Sequence, residues 1–257
     1  MKDFKDILQS FEPISLKEMD NVKLLNRADT KFIFNADLLT EILEEARSHY
    51  RVLTTETGRL NSYRTLYFDT ENLASYITHH NGKLNRIKVR IREYIDSKIV
   101  YLEIKLKTNK GKTEKSRMKL PAFDTNLDAV SKKFIEDNSF YKADEIKPVL
   151  VNKFSRITLV HKTKKERATL DLNIVLSNVK GDKKKGLPHL IIAEVKQEKA
   201  SVNSDFIQIM KKRYIRQNSM SKYCTGTIFM NEGVKSNNFK ELILKINKLK
   251  NDRSLIA

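Results

Sequence analysis

Arg86, Lys88, Arg90 and Arg92 occupy every second position of the run from Asn85 to Tyr94, and Ile87, Val89 and Ile91 fill the gaps. As a β-strand this run has one cationic and one apolar face. Four like charges on one face repel each other, and either water or a polyanion relieves that repulsion. The chemistry open to such a face is the gripping of phosphate oxygens, with Arg forks binding bidentately and Lys acting as a point charge.

The pattern recurs. Ile99 to Lys107 sets Tyr101, Glu103, Lys105 and Lys107 against Val100, Leu102, Ile104 and Leu106, and Lys112 to Leu120 sets Thr113, Lys115, Arg117 and Lys119 on one side. Arg167 to Asn173, and Glu194 with Lys196 in Leu190 to Lys196, add further one-sided polar strands, while the long run Pro148 to His161, which carries Arg156, is of mixed polarity with no face assigned. A carboxylate among such cations can hold a divalent metal that bridges phosphates. Glu103 and Glu194 are the metal candidates; the alternative for each is a salt bridge to a neighbour such as Lys105 or Lys196.

Other chemistries are poorly supported. Gly111-Lys112-Thr113 resembles the end of a P-loop, but the earlier glycine would fall at Leu106 and the segment lies between strands rather than opening a helix. His79-His80 has no Cys or spaced His/Glu partners and reads as surface or packing. No GxSxG occurs, and His49, His161 and His189 have no nucleophile arranged beside them in sequence. Cys224, the single cysteine, excludes an internal disulfide and reads as a buried structural thiol.

Composition sets the frame for these residues. Among 257 residues, 50 Lys and Arg against 32 Asp and Glu leave a net charge of +18, which favours nucleic acid, anionic membrane or phosphorylated small molecules. The N-terminal residues carry no apolar leader segment, and no long uncharged apolar run appears, so a cytoplasmic location is expected.

The elements that must position the cations follow from periodicity. Asn26 to Phe34 reads as a first strand, Asn35 caps a helix running to about Tyr50, and Ser62 to Asp69 is a strand with Tyr63, Thr65 and Tyr67 on one side. Helices are expected over 127–137, 203–216 and 238–250, and Lys180 to Gly186 reads as a solvated hairpin loop. No linker or repeat divides the chain, so 1–257 reads as one domain with a core of about 25–227. About eight strands without long helical crossovers predict an α+β fold: an eight-stranded antiparallel β-barrel with a polar, basic lumen, flanked by helices.

Taken in order, Arg27-Ala28-Asp29-Thr30-Lys31-Phe32, Tyr67-Phe68-Asp69-Thr70, Lys88-Val89-Arg90-Ile91-Arg92, Glu103-Ile104-Lys105, Lys115-Ser116-Arg117, Ser155-Arg156, Arg167-Ala168-Thr169-Leu170-Asp171, Glu194-Val195-Lys196 and Ser221-Lys222 resemble the VTC polyphosphate polymerase domain of the triphosphate tunnel metalloenzyme (CYTH-like) superfamily. The resemblance implies a tunnel that binds triphosphate and a divalent metal, Mn²⁺ or Mg²⁺. Carried over, it makes Lys31, Arg90, Arg92, Lys105, Arg117, Arg156, Arg167, Lys196 and Lys222, with Lys115, phosphate contacts and Glu194 the metal ligand; joined to the strand reading, this gives Arg90, Arg92, Lys105, Arg156 and Arg167 as expected catalytic residues, Lys31, Lys88, Lys115, Arg117, Lys196, Ser221 and Lys222 as expected phosphate-binding residues, and Glu194 and Glu103 as expected metal ligands. The Glu-x-Glu-x-Lys start of triphosphatases is replaced by Arg27-x-Asp29-x-Lys31, which favours the polymerase branch. The partners so implied are ATP and polyphosphate. A membrane-protein partner and a peripheral position at the inner membrane face are compatible with the resemblance; sequence-specific nucleic acid is disfavoured because the basic strands interleave with Ile and Val rather than with stacking aromatics. A triphosphatase, or a non-catalytic module binding polyphosphate or RNA, are the alternatives.

Overall fold

Alternating side chains make strands of these runs, and in the computed structural model, which describes residues 3–20, 28–110, 113–198, 201 and 203–251, the strands share one sheet. Arg27, Gly111 and Lys112, used in the sequence reading, lie outside the described residues. The strands are β1 (Pro13–Ile14), β2 (Ala28–Asn35), β3 (Tyr50–Leu53), β4 (Asn61–Thr70), β5 (Arg86–Tyr94), β6 (Ile99–Lys107), β7 (Thr113–Leu120), β8 (Ile146–His161), β9 (Glu166–Ser177), β10 (Lys184–Leu187) and β11 (Leu190–Gln197). The helices are α1 (Phe4–Gln9), α2 (Leu16–Asp20), α3 (Leu39–Ala46), α4 (Ala74–His80), α5 (Ala129–Asn138), α6 (Asp205–Lys212), α7 (Lys222–Met230) and α8 (Lys240–Asn251).

The main path runs β2-β11-β9-β8-β4-β5-β6-β7, and every pair along it is antiparallel. These are the eight strands expected from the alternation. The short strands β1, β3 and β10 attach beside the path. Among the described residues the end strands β2 and β7 are not hydrogen-bonded to each other, so the sheet curls into a tunnel without closing as a barrel.

The convex side carries the apolar residues. Phe32, Phe34, Ile157, Leu170, Leu172 and Ile191 pack under α1, α3 and α6, through Ile42, Leu43, Phe206 and Ile209. Farther along the sheet, Leu66, Phe68, Ile87, Val89, Ile91 and Leu102 bury against Ile135 of α5.

The concave side divides into two halves, a division that strand alternation did not predict. Ile33, Leu150, Ile174, Leu176, Leu190 and Ile192 are apolar and are covered by Tyr223 and Met230 of α7 and by Leu242 and Ile246 of α8. The other half is cationic. The change of character falls at a bulge: Lys153 pairs with Val175 but Ser155 with Leu172, so β9 holds one residue more than β8 between these pairs. Asn173, in that interval, takes φ +53°, a left-handed conformation that Asn tolerates. The extra residue lets Asp171 face the cationic half while Ile174 still faces the apolar one. Helix α7 sits close because residue 226 has no side chain: a Cβ there would come 2.5 Å from Leu150 Cδ2. Among the described residues no helix is long and apolar enough to cross a membrane.

Candidate functional site: a cationic tunnel

The cationic half of the concave face encloses a cavity of about 1620 Å³, and all eight strands of the main path contribute to its lining. Arg86, Lys88, Arg90 and Arg92 of β5 all face it, as alternation on one strand requires. Lys31, Lys105, Lys115, Arg156, Arg167 and Lys196 join them from six other strands. Ser221 and Lys222 enter from the first turn of α7, where Ser221 Oγ caps the helix by accepting from the Cys224 amide and also accepts from Lys88 Nζ at 2.9 Å.

Like charges so close need compensation, and it comes from three carboxylates used in different ways. Glu103 is completely buried; its Oε2 accepts from Arg90 Nε at 2.8 Å and Nη2 at 2.6 Å, and its Oε1 meets Lys115. Asp171 accepts from Arg156 Nε at 2.5 Å and Nη2 at 2.8 Å, and from Lys222. Glu194 meets Lys196 and, at 3.5 Å, Lys31. Burial alone would raise all three carboxyls; the partnered cations outweigh it and hold each well below the usual carboxylate range, led by Arg90 at Glu103, Arg156 at Asp171 and Lys196 at Glu194.

The cations pay for their crowding unequally. Arg92 Nε donates to Thr65 at 3.2 Å, and burial together with Arg90 pulls its guanidinium down to about 10. Lys105 makes no hydrogen bond or ion pair among the described residues, and Arg90, burial and Arg92 push it well below the usual lysine value. An aromatic stack supports the guanidinia: Tyr63 lies flat on Phe154 with centroids 5.1 Å apart, Arg156 is 5.3 Å from both rings, and Lys222 is 4.4 Å from Phe154.

Two sequence assignments change. Glu103, expected as a metal candidate, does not line the cavity; its carboxylate is consumed by Arg90 and Lys115, not by the expected Lys105. Arg117, expected at phosphate, is exposed outside the cavity with its guanidinium 4.9 Å from the Tyr101 ring. For Glu194 the Lys196 ion pair does form, but the carboxylate faces the cavity.

Several lining residues were not selected from sequence. Asp171 shares the face of Arg167 and could have been found from that spacing; Tyr67 shares the face of Tyr63 and Thr65. His79, read as packing, faces the cavity with Nδ1 2.9 Å from the Cys224 thiol, and burial with Lys88 and Arg86 holds its imidazole down to about 2. Cys224 itself is buried, as expected.

A divalent cation that contacts phosphates prefers hard oxygen donors. Glu194 offers one, and Asp29, opposite Lys196 in the β2–β11 register, lines the same part of the cavity, so the donor set fits such an ion. The group formed by His49, His161 and Asp205 has metal-like spacing but lies elsewhere. There His161 Nδ1 accepts from the amides of Thr163 at 3.0 Å and Lys164 at 2.9 Å, which leaves the proton on Nε2, 2.8 Å from Asp205. That nitrogen has no lone pair for a metal, and the group reads as a structural clasp.

A curled antiparallel sheet thus surrounds a deep cationic cavity, with its apolar side buried under helices. The VTC domain family matches residues 26–231, and the chain belongs to that family. No curated protein matches the sequence. Similar solved structures include a candidate adenylate cyclase of Bacillus halodurans (14% identity, 76% of this chain and 94% of that chain, TM-score 0.48). Another is a candidate adenylyl cyclase of Hippeastrum described with a dominant triphosphatase activity (14% identity, 80% and 98%, TM-score 0.46). The RNA triphosphatase Pct1 of S. pombe is more distant (8% identity, 90% and 85%, TM-score 0.30).

Proposed function

We propose that this protein is a metal-dependent polyphosphate polymerase that transfers the γ-phosphoryl group of ATP to the end of a polyphosphate chain held in the tunnel, releasing ADP. The observation that carries this reading is the convergence of Arg90, Arg92, Arg156, Arg167, Lys105 and Lys222 on one large cavity, with a carboxylate, Glu194, facing the same space.

Phosphoryl transfer asks for positioning and charge neutralisation rather than covalent help from the protein. Arg90 and Arg156 are held rigidly by Glu103 and Asp171, so their forks are oriented before substrate arrives. Arg92 and Lys105 lack carboxylate partners in contact and are the cations with most to gain from a phosphate. Glu194, with Asp29, would hold a divalent metal, which supplies charge neutralisation at the transferring group. A chain-terminal phosphate has a second pKa near 6 and is largely ionised at neutral pH, so this acceptor needs no base. Such an acceptor matches a lining rich in Arg and Lys.

Incubation with ATP and Mn²⁺ tests the reading. Long-chain acid-insoluble phosphate is the expected product; free phosphate alone would mark a triphosphatase, and binding without turnover a non-catalytic module. Arg92→Ala is expected to lower the rate on the order of 10²–10³. Full synthesis by that variant would remove Arg92 from the mechanism.

A further inference from the structure

Deep in the cavity lies a hydroxyl that the reading above does not use. Tyr67 of β4 is only 4% exposed, yet it lines the cavity, its ring 5.1 Å from that of Tyr223 and its register partner on β5 being Arg90. What surrounds the Tyr67 oxygen is donors. Asn152 Nδ2 of β8 points at it from 3.4 Å, and the cationic groups of Arg90, Arg92, Lys88 and Lys222 stand nearby. With the Asn152 amide turned so that Nδ2 meets Tyr67 and Oδ1 is buried without a partner, no acceptor among the described residues takes the Tyr67 hydrogen. Glu103 and Asp171, carboxylates of the neighbouring strands, are ion-paired with Arg90 and Lys115 and with Arg156 and Lys222. A buried hydroxyl that receives hydrogen bonds and gives none leaves its own donor unsatisfied.

We propose that the Tyr67 hydroxyl is a phosphate contact, donating its hydrogen to an oxygen of the phosphate that Arg90 and Arg92 hold. This rests on the reading of the tunnel as a polyanion site, and it adds a neutral donor to a set otherwise dominated by fixed charges.

A linked protonation follows. Burial pushes the phenol up, but Arg90, Arg92, Lys222 and Lys88 outweigh burial and bring it below its ordinary value in the empty tunnel. A bound polyanion neutralises those four cations, so the phenol then holds its proton more tightly. Between the lowered value and the value restored by ligand, binding must therefore take up a proton at Tyr67, and affinity must fall as pH rises through that window. Lys88, Lys105 and Lys222 are also lowered and weaken binding in the same direction. A pH profile of affinity alone does not separate them from Tyr67, whereas tyrosinate absorption does, and the chain has no tryptophan to overlap it.

The experiment is a titration of inorganic tripolyphosphate into the full-length protein at mildly alkaline pH, following both affinity and tyrosinate absorption. The expected result is loss of tyrosinate signal on binding to the wild type, no such change in Tyr67→Phe, and an affinity about 10-fold weaker in the variant. Equal binding and the same signal change in both proteins would overturn the assignment while leaving the polyanion site standing. Absence of any tripolyphosphate binding would instead overturn the polyanion reading itself. Should Tyr67→Phe fail to fold, the wild type still decides: saturation with tripolyphosphate that leaves the Tyr67 ring signals of a tyrosine-labelled protein unmoved in NMR rejects the proposal.

Discussion

The two walls of the tunnel solve the same electrostatic problem in opposite ways. On the β5–β6–β7 wall, Lys88, Arg90, Arg92, Lys105 and Lys115 face the cavity, while Glu103, the carboxylate paired with Arg90 and Lys115, is sunk beneath the surface at 0% exposure. On the β2–β11–β9–β8 wall, Glu194 and Asp171 sit in the lining itself, side by side with Lys31, Lys196, Arg156 and Arg167. The first wall therefore shows the cavity an excess of positive charge on a neutralised foundation, suited to holding a chain of phosphates. The second presents both signs and can meet a metal and a phosphate together. A carboxylate's depth, more than its presence, decides whether it serves the fold or the ligand.

Removing each wall's carboxylate is the sharpest way to break this comparison. Glu103→Ala leaves Arg90 and Lys115 without their counter-charge in a water-poor site, and loss of one partner of a buried pair costs about 3–5 kcal/mol. Chemical denaturation should show that loss with or without metal. If Glu103→Ala instead retains wild-type stability and loses only metal dependence, the two walls are not different in kind.

Glu194→Ala should behave in the reverse manner. Its partner Lys31 reaches solvent and Lys196 keeps the favourable charge of Asp29, so the stability change is expected near about 1 kcal/mol. Turnover should fall on the order of 10²–10³, as for other groups that neutralise developing charge. Parallel measurement of thermal stability and of rate against Mn²⁺ concentration would check both halves, and an unchanged metal requirement would place the ion elsewhere.

How far this division could be read in the sequence depends on the wall. Alternation on β5 placed Arg86, Lys88, Arg90 and Arg92 on the cavity face because a strand's period is fixed. It could not say how far along a strand the cavity extends: Glu103 and Lys105 share a face of β6, as do Lys115 and Arg117 of β7, yet one of each pair lines the cavity and the other does not. Depth is set by neighbouring strands and by curvature, which a single sequence does not carry. The short strand β3 was not expected: the helix read as running to about Tyr50 ends at Ala46, and Tyr50, Arg51 and Val52 pair with β8. Helix α7 gave no signal of its own, because Thr225-Gly226-Thr227 has poor helix propensity and only its packing against β8 explains it. The apolar half of the concave face was hidden for the same reason.

The smallest expected effect sharpens the comparison most finely, because it asks whether the first wall is charged at the expense of the fold. Lys105 is pushed well below the ordinary lysine value of 10.5, chiefly by Arg90. A lysine lowered in the folded state binds its proton less well there than in the unfolded chain, so the unfolded state holds more protons between the lowered value and 10.5, and wild-type stability rises with pH across that window. Lys105→Met removes the unfavourable charge. The empty variant should be more stable than wild type by about 0.5–2 kcal/mol at neutral pH, with the advantage fading as pH climbs through the window. Saturating tripolyphosphate should reverse the order, since the ligand stabilises the protonated lysine that the variant lacks. Thermal unfolding with and without tripolyphosphate measures both effects. A variant that is less stable than wild type in the empty state would mean that Lys105 contributes to the fold through its packing, and that the surplus charge of this wall carries no cost.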